Sequence, residues 1–228
     1  MKRIVKPELL DMLPPDDPRA VRSRHDLHRV NWWMRNHIIM TCALKENLVT
    51  SPTQIIELGA GDGRFLLRVA HKLCPGSRNV KVTLLDWQKN VSAETLAAFV
   101  ECGWQAEAIV ADVFDWTPIE SESRVVVANL FLHHFEENKL AELFRKISQT
   151  TNLFIAVEPH RSALPSLVVP LLRLIGCNDV TRHDAVISIR AGFANQELST
   201  LWPDKTKWQL NERRAGLFSH LFIARRRE

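Results

Sequence analysis

The 228 residues are 46% hydrophobic and 25% charged, the profile of one ordinary globular domain with room for a small appendage. The net charge of +4 is modest. No run approaches the roughly 18 apolar residues that span a bilayer, and the start, Met1-Lys2-Arg3-Ile4-Val5-Lys6-Pro7-Glu8, has no apolar signal core, so a cytoplasmic location is expected.

The first punctuation is Pro14-Pro15-Asp16-Asp17-Pro18, where proline restricts both itself and its predecessor. Asp17 reads as an N-cap with Pro18 at the first helical position. A helical pattern then runs to about Asn47, with Val21, Leu27, Val30, Met34, Ile38 and Cys42 on roughly one face. Thr50-Ser51-Pro52 ends it. Residues 1–50 are therefore expected to form a helical N-terminal extension, and residues 51–228 the main domain.

Strands are predicted at 54–58, 80–85, 105–110, 124–128 and 153–157, with helices at 64–73, 92–102 and 136–149 between them. The fourth strand is almost continuously apolar, as a strand buried on both faces should be. Helices over 164–175 and 196–201 follow, and segments 207–210 and 217–225 read as a closing antiparallel pair. This order predicts an α/β fold: a doubly wound, mostly parallel seven-stranded sheet with helices on both faces.

Cys42, Cys74, Cys102 and Cys177 lie far apart, without a CxxC pair or a Cys/His cluster at metal-ligand spacing. Buried, inert thiols and no metal are expected. From Lys205 to Glu228 seven Lys/Arg face two Glu, and the segment from Arg19 to Arg35 is also basic. Such stretches are either solvated faces or surfaces for RNA phosphates or an anionic carrier protein.

Between the first strand and its helix stands Glu57-Leu58-Gly59-Ala60-Gly61-Asp62-Gly63. Glycines permit positive φ and let the backbone approach a ligand, and the helix that follows offers free N–H groups. A glycine triplet alone fits any nucleotide-like ligand. The GxGxG spacing, with Glu57 two positions before the first glycine, departs from the GxGxxG of dinucleotide-binding folds.

With Asp86-Trp87 at the end of the second strand, Asp112-Val113 after the third and Asn129-Leu130 after the fourth, this segment resembles the class I methyltransferase family over residues 54–158. The resemblance implies S-adenosylmethionine as cofactor and S-adenosylhomocysteine as product. It implies that Glu57, Gly59, Ala60, Gly61 and Gly63 cradle the cofactor and that Asp86, beside Trp87, accepts its ribose hydroxyls. By the same resemblance Asp112 receives the adenine amino group, the Val113 amide faces the ring, and Asn129 and Leu130 line the methionine portion. All stand at C-terminal strand ends, the edge where open α/β sheets bind ligands.

Methyl transfer needs an aligned nucleophile and, for a phenol or alcohol, a proton acceptor. His133 and His134, in a segment similar to that of small-molecule methyltransferases, and Glu158 follow strands four and five. His183, beside Asp184, is a further candidate. Each has a plainer role open to it: packing or shaping the cofactor pocket for the histidines, pairing with Arg161 for Glu158, helix capping for Asp184. By resemblance the N-terminal helical extension lids the substrate side, so Trp32 and Trp33 are expected around the substrate, as is His160, the two tryptophans bordering one cavity or dividing between core and surface.

The absence of an Asn/Asp-Pro-Pro-aromatic motif after strand four argues against amino methylation of nucleic-acid bases. Residues 178–193 resemble part of the bacterial methyltransferases of aromatic polyketide and aryl-lipid pathways, and Leu132-His133-His134 is similar to the same place in quinone-type C-methylating enzymes. That resemblance implies O- or C-methylation of a hydroxylated aromatic small molecule. An RNA methyltransferase and a catalytically inactive partner subunit are the alternatives.

Overall fold

The structure, a computed structural model, describes residues 2–14, 16–48, 52–73, 79–116, 124–162 and 165–227. Pro15, Thr50, Ser51, Cys74 and Leu164, used in the sequence reading, lie outside them.

A single turn, α1 (Leu9–Met12), precedes helix α2 (Pro18–Met34), which begins as expected: the Asp17 side chain accepts from the Arg19 N–H and Pro18 takes the first helical position. One helix was expected to run on to Asn47. Instead Arg35 turns left-handed at φ 58° and a second helix, α3 (Asn36–Asn47), starts anew. A non-glycine residue there costs on the order of 1–2 kcal/mol. The break turns Asn36 inward, fully buried, where its amide donates to Asn129 Oδ1 at 3.0 Å and accepts from Ser219 Oγ at 2.6 Å.

The alternating region follows: β1 (Gln54–Leu58), α4 (Arg64–Leu73), β2 (Lys81–Asp86), α5 (Ala93–Glu101), β3 (Gln105–Val110), β4 (Arg124–Asn129), α6 (Glu137–Thr150) and β5 (Leu153–Pro159). Then come α7 (Pro165–Leu174), α8 (Asp179–Ala191), α9 (Glu197–Leu201), β6 (Trp208–Ala215) and β7 (Ser219–Arg226). The seven strands lie in the order β3-β2-β1-β4-β5-β7-β6, parallel except for β7, which runs antiparallel to both neighbours. The doubly wound expectation holds. The chain starts at the centre of the sheet and winds outward in both directions, leaving a crevice at the C-terminal ends of β1 and β4.

Every residue of β4 is buried. Strand alternation sends Val125 and Val127 to one face and Val126 and Ala128 to the other. On the first face they meet Met40 and Leu44 of α3, Leu66 and Val69 of α4, and Phe99 of α5. On the second they meet Leu140 and Phe144 of α6 within a cluster that includes Phe154, Trp202, Trp208 and Phe222. Helix α3, inside the expected N-terminal extension, is thus part of the main core.

Helix α8 was not anticipated as an element. Asn178 caps it by accepting from the Thr181 N–H, but the run Val186-Ile187-Ser188-Ile189 obscures a helix because β-branched residues favour strands. Cys177 is buried as expected. Cys42 is exposed, which corrects the reading of inert buried thiols, and Cys102 is half-buried with Sγ 3.2 Å from His71 Nδ1. Among the described residues no helix is long and apolar enough to cross a membrane.

Candidate active site

A cavity of about 660 Å³ opens at the crevice. One end is walled by Glu57, Gly59, Ala60, Gly61, Asp86, Trp87, Asp112, Val113, Asn129 and Leu130. Of the residues expected around the cofactor only Gly63 is missing from this wall. At φ +76° it packs below the loop, where a Cβ would stand 2.8 Å from Leu84 Cδ1. Gly59 has φ +66°, and a Cβ there would fall 2.2 Å from the Phe131 ring. Gly61, at φ +56°, faces open space.

Asp86 organises this end. Its Oδ2 accepts from the Gly61 N–H at 2.8 Å and its Oδ1 from the Gln88 N–H at 2.9 Å. Each oxygen keeps a lone pair free for a hydroxyl donor. Asp112 accepts from the Phe114 N–H at 2.8 Å, which fixes the turn that carries Val113. Asn129 is held by Asn36, and Leu130 adopts φ 51°, a left-handed strain of the kind that gathers at ligand sites. Trp87 stands 63% exposed at the rim.

Glu57 is 1% exposed and its Oε2 has no hydrogen-bond partner among the described residues. Burial, reinforced by Asp62 and Asp86, pushes its pKa well above the usual carboxylate range. An orphaned carboxyl oxygen beside an open glycine suits a cationic or N–H donor, as the ammonium of S-adenosylmethionine supplies. The residues present fit that cofactor.

The other end of the cavity is lined by Leu27, Val30, Trp33 and Met34 of α2, Leu172 of α7, Ala185 and Ile189 of α8, and Phe218. The rings of Trp33 and Phe218 lie 5.1 Å apart. Trp32, expected alongside, is 64% exposed and outside the lining, so the two tryptophans divide between surface and cavity. His160 reaches the cavity, and its Nδ1 is buried without a partner among the described residues.

Between the ends lie His133 and His134, on a 3-10 turn after β4. Glu158, completely buried on β5, gathers that turn. Its Oε1 accepts from the Phe131 and Leu132 N–H groups at 3.0 and 2.9 Å, and its Oε2 meets His133 Nδ1 at 2.9 Å. Glu158 is an orienting carboxylate here. The expected Arg161 pairing goes elsewhere, since Arg161 binds Glu197 and the Gly192 carbonyl. His133 Nε2 lies 3.4 Å from Glu8 Oε1. Burial alone would favour a neutral His133, but the two carboxylates overcome it and its pKa is pushed up to about 9.

His134, its ring 4.3 Å from that of His133, shifts the other way. Burial, aided by the neighbouring positive charge, lowers its pKa to about 4. Two adjacent histidines thus present an imidazolium and a neutral imidazole at neutral pH, the split that separates acid from base in a site. His183 stands outside the cavity lining with a half-exposed side chain, and bonds Asp184 Oδ1 at 3.0 Å.

The sequence reading expected the N-terminal extension to lid the substrate side but named neither Glu8 nor Asp11 as a site residue. Glu8 and Asp11 both line the cavity. Glu8 is bonded by Ser188, and Asp11 Oδ2 lies 3.7 Å from His134 Nδ1. Burial, then repulsion from Glu8 and Asp184, raises the Asp11 pKa to about 6. No motif marks either residue; only the fold brings them within reach.

Residues 55–152 match the family described as Methyltransferase domain. No curated protein matches the chain. Among solved structures it is similar to the plantazolicin methyltransferase BpumL in complex with S-adenosylhomocysteine, with 15% identity, 93% of this chain and 92% of that one covered, and a TM-score of 0.63. It is also similar to a protein of Nostoc punctiforme PCC 73102 assigned to the O-methyltransferases (14%, TM-score 0.63) and to the mitomycin 7-O-methyltransferase MmcR (17%, TM-score 0.60). The chain, covered over 94% and 95% of its own length, spans only 62% and 60% of those two proteins. Identities this low speak for the fold alone, but the family match falls on the strands and loops that build the cofactor end of the cavity. Residues 55–152 carry the match to a methyltransferase domain, and the fold around them is similar to that of solved methyltransferases.

Proposed function

We propose that this protein methylates a hydroxyl oxygen of an aromatic small molecule, with His134 accepting the hydroxyl proton. The observation that carries the reading is the position of His134, whose pKa burial lowers, at the junction between the cofactor end and the apolar end of one cavity. S-adenosylmethionine supplies an electrophilic methyl on a sulfonium. In the transfer the acceptor oxygen forms a bond to the methyl carbon and the carbon–sulfur bond breaks, its electron pair staying on sulfur. The hydroxyl proton passes to His134.

A phenol has a pKa near 10, so most of it is protonated at neutral pH and a base is useful. His133, held charged between Glu8 and Glu158, cannot serve. Trp33, Phe218, Met34 and Ile189 offer the flat apolar walls an aromatic ring prefers. Helices α2 and α8 contribute to the walls of this end, an arrangement suited to a compact acceptor more than to a polynucleotide strand. The name of the similar mitomycin 7-O-methyltransferase agrees with oxygen as the target.

The test is incubation with S-adenosylmethionine and a panel of naphthols, catechols and hydroxyquinones, followed by mass spectrometry of the products. Methyl ethers support the reading. Methylation confined to carbon or nitrogen, or tight S-adenosylhomocysteine binding with no product from any of them, overturns it.

A further inference from the structure

Residues 3–11 are bound to the rest of the chain by polar contacts that no feature of their sequence announces. Arg3 donates to the Ala191 carbonyl at 2.7 Å and to the Phe135 carbonyl at 2.8 Å, and its guanidinium sits 4.5 Å above the Phe193 ring. The N–H groups of Leu9 and Leu10 donate to the two oxygens of Asp184 at 2.8 and 3.0 Å. Asp184 is 4% exposed. It therefore caps α1 from across the cavity, a role that accounts for it without a catalytic dyad.

This anchoring places two carboxyl groups. Glu8, bonded by Ser188, approaches His133 Nε2 opposite Glu158, so His133 lies in line between two carboxylates. Its ring is thereby fixed against His134, with 4.3 Å between centroids. Asp11 lies 3.7 Å from His134 Nδ1, a gap wider than a hydrogen bond. The groups facing His134 are His133 on its own turn, Glu158 on β5, and Glu8 and Asp11 from the N-terminal segment; Asp184 on α8 and Asp86 at the end of β2 act on Asp11.

We propose that residues 3–11 form a positioning strap that completes the acceptor site. Glu8 holds His133 against Glu158 and so fixes the ring beside which His134 works. Asp11 stabilises the imidazolium that forms on His134 when the acceptor hydroxyl gives up its proton. Neither touches the acceptor; both act through the histidines. The inference rests on the proposed role of His134. Without its strap the domain keeps the cofactor end, which Asp86 and the glycine loop build, and loses the proton-accepting end.

The experiment uses the full chain with Glu8→Gln, Asp11→Asn and Asp11→Glu, and 1-naphthol and catechol as acceptor probes. S-adenosylhomocysteine affinity by calorimetry should stay within about threefold of wild type in all three. Asp11→Asn should lower kcat by about tenfold to a hundredfold with little change in KM, and Asp11→Glu should recover part of it. Histidine Cε1 proton NMR, assigned with His133→Gln and His134→Gln, gives a readout free of turnover. Glu8→Gln should bring the alkaline His133 titration down towards ordinary histidine.

Unchanged His133 and His134 titrations in Glu8→Gln and Asp11→Asn would show a merely structural segment and overturn the proposal. Activity removed by a chelator and restored by Zn²⁺ would also overturn it, because Glu8, His133 and His134 each present a ligand atom within 4.8 Å of the others and would then be metal ligands. If wild type makes no methyl ether, the reading of the acceptor fails, while the NMR titrations still decide whether the strap governs the two histidines.

Discussion

His133 and His134 are neighbours in sequence with rings 4.3 Å apart, and they are held on opposite sides of neutrality. The difference comes from position: Glu8 and Glu158 both approach His133, while His134 is buried beside that charge with Asp11 no nearer than 3.7 Å.

The split sets a pH profile. The neutral form of His134 is the competent one and its pKa is lowered to about 4. Asp11, raised to about 6 and needed as the carboxylate, should give a first, partial fall through pH 6, and the rate should be lost fully only as pH drops towards 4. Profiles of kcat/KM against pH for wild type and Asp11→Asn check this, and an acid limb at about 6.5, the value of free histidine, that persists in Asp11→Asn would assign the proton acceptor elsewhere.

The same pair affects stability with opposite signs. His133, raised to about 9, adds stability that is fully present below pH 6.5 and is lost as pH rises through 9. His134, depressed to about 4, adds stability that is present above pH 6.5 and is lost as pH falls through 4. Thermal melting of wild type should therefore weaken between pH 7 and 9. In His133→Gln that alkaline decline should shrink, although the variant starts lower because Glu8 and Glu158 lose their cation.

Asp86→Ala should weaken S-adenosylhomocysteine binding at least tenfold, on the order of the 1.5–3 kcal/mol of a charge-assisted hydrogen bond. It also releases the Gly61 and Gln88 amides, so the cradle loosens with the contact. Calorimetry, with circular dichroism to verify folding, is the check. Unaltered affinity would remove Asp86 from the cofactor site.

The two glycines of the cradle should respond differently to alanine. Gly59→Ala drives a Cβ to 2.2 Å from the Phe131 ring and should destabilise the fold by more than about 2 kcal/mol. Gly61→Ala meets nothing and carries only the strain of a positive φ, about 1 kcal/mol. Its methyl would instead occupy ligand space, so melting temperature should change little while cofactor affinity drops. Similar losses of stability in both would contradict this division.

The parallel sheet and the cavity wall at the glycine loop were legible in the sequence because both are local in their causes. Apolar runs such as Val125-Val126-Val127 announce strands, and Gly59, Gly61 and Asp86 sit at strand ends where ligand contacts follow directly. The acceptor end was less legible. Glu158 and His133 were flagged, but their partnership depends on β4 and β5 lying side by side. Arg35 carries no breaker signal, since its left-handed turn is compelled by the burial of Asn36 against Asn129. Glu8 and Asp11 stand in no motif, and their segment is held beside the histidines by Asp184, far along the chain, through the Leu9 and Leu10 N–H groups.

That distance has a consequence for how the protein comes into being. Arg3 closes on Ala191 and Asn36 on Ser219, separations of 188 and 183 residues. Long-range closures form late and slowly. During synthesis Arg3 and Asn36 must wait, exposed, until Ala191 and Ser219 have emerged before they find their partners. The glycine cradle, complete once β4 has emerged, will be ready well ahead of the acceptor end, so a nascent chain should hold its cofactor before it can use it.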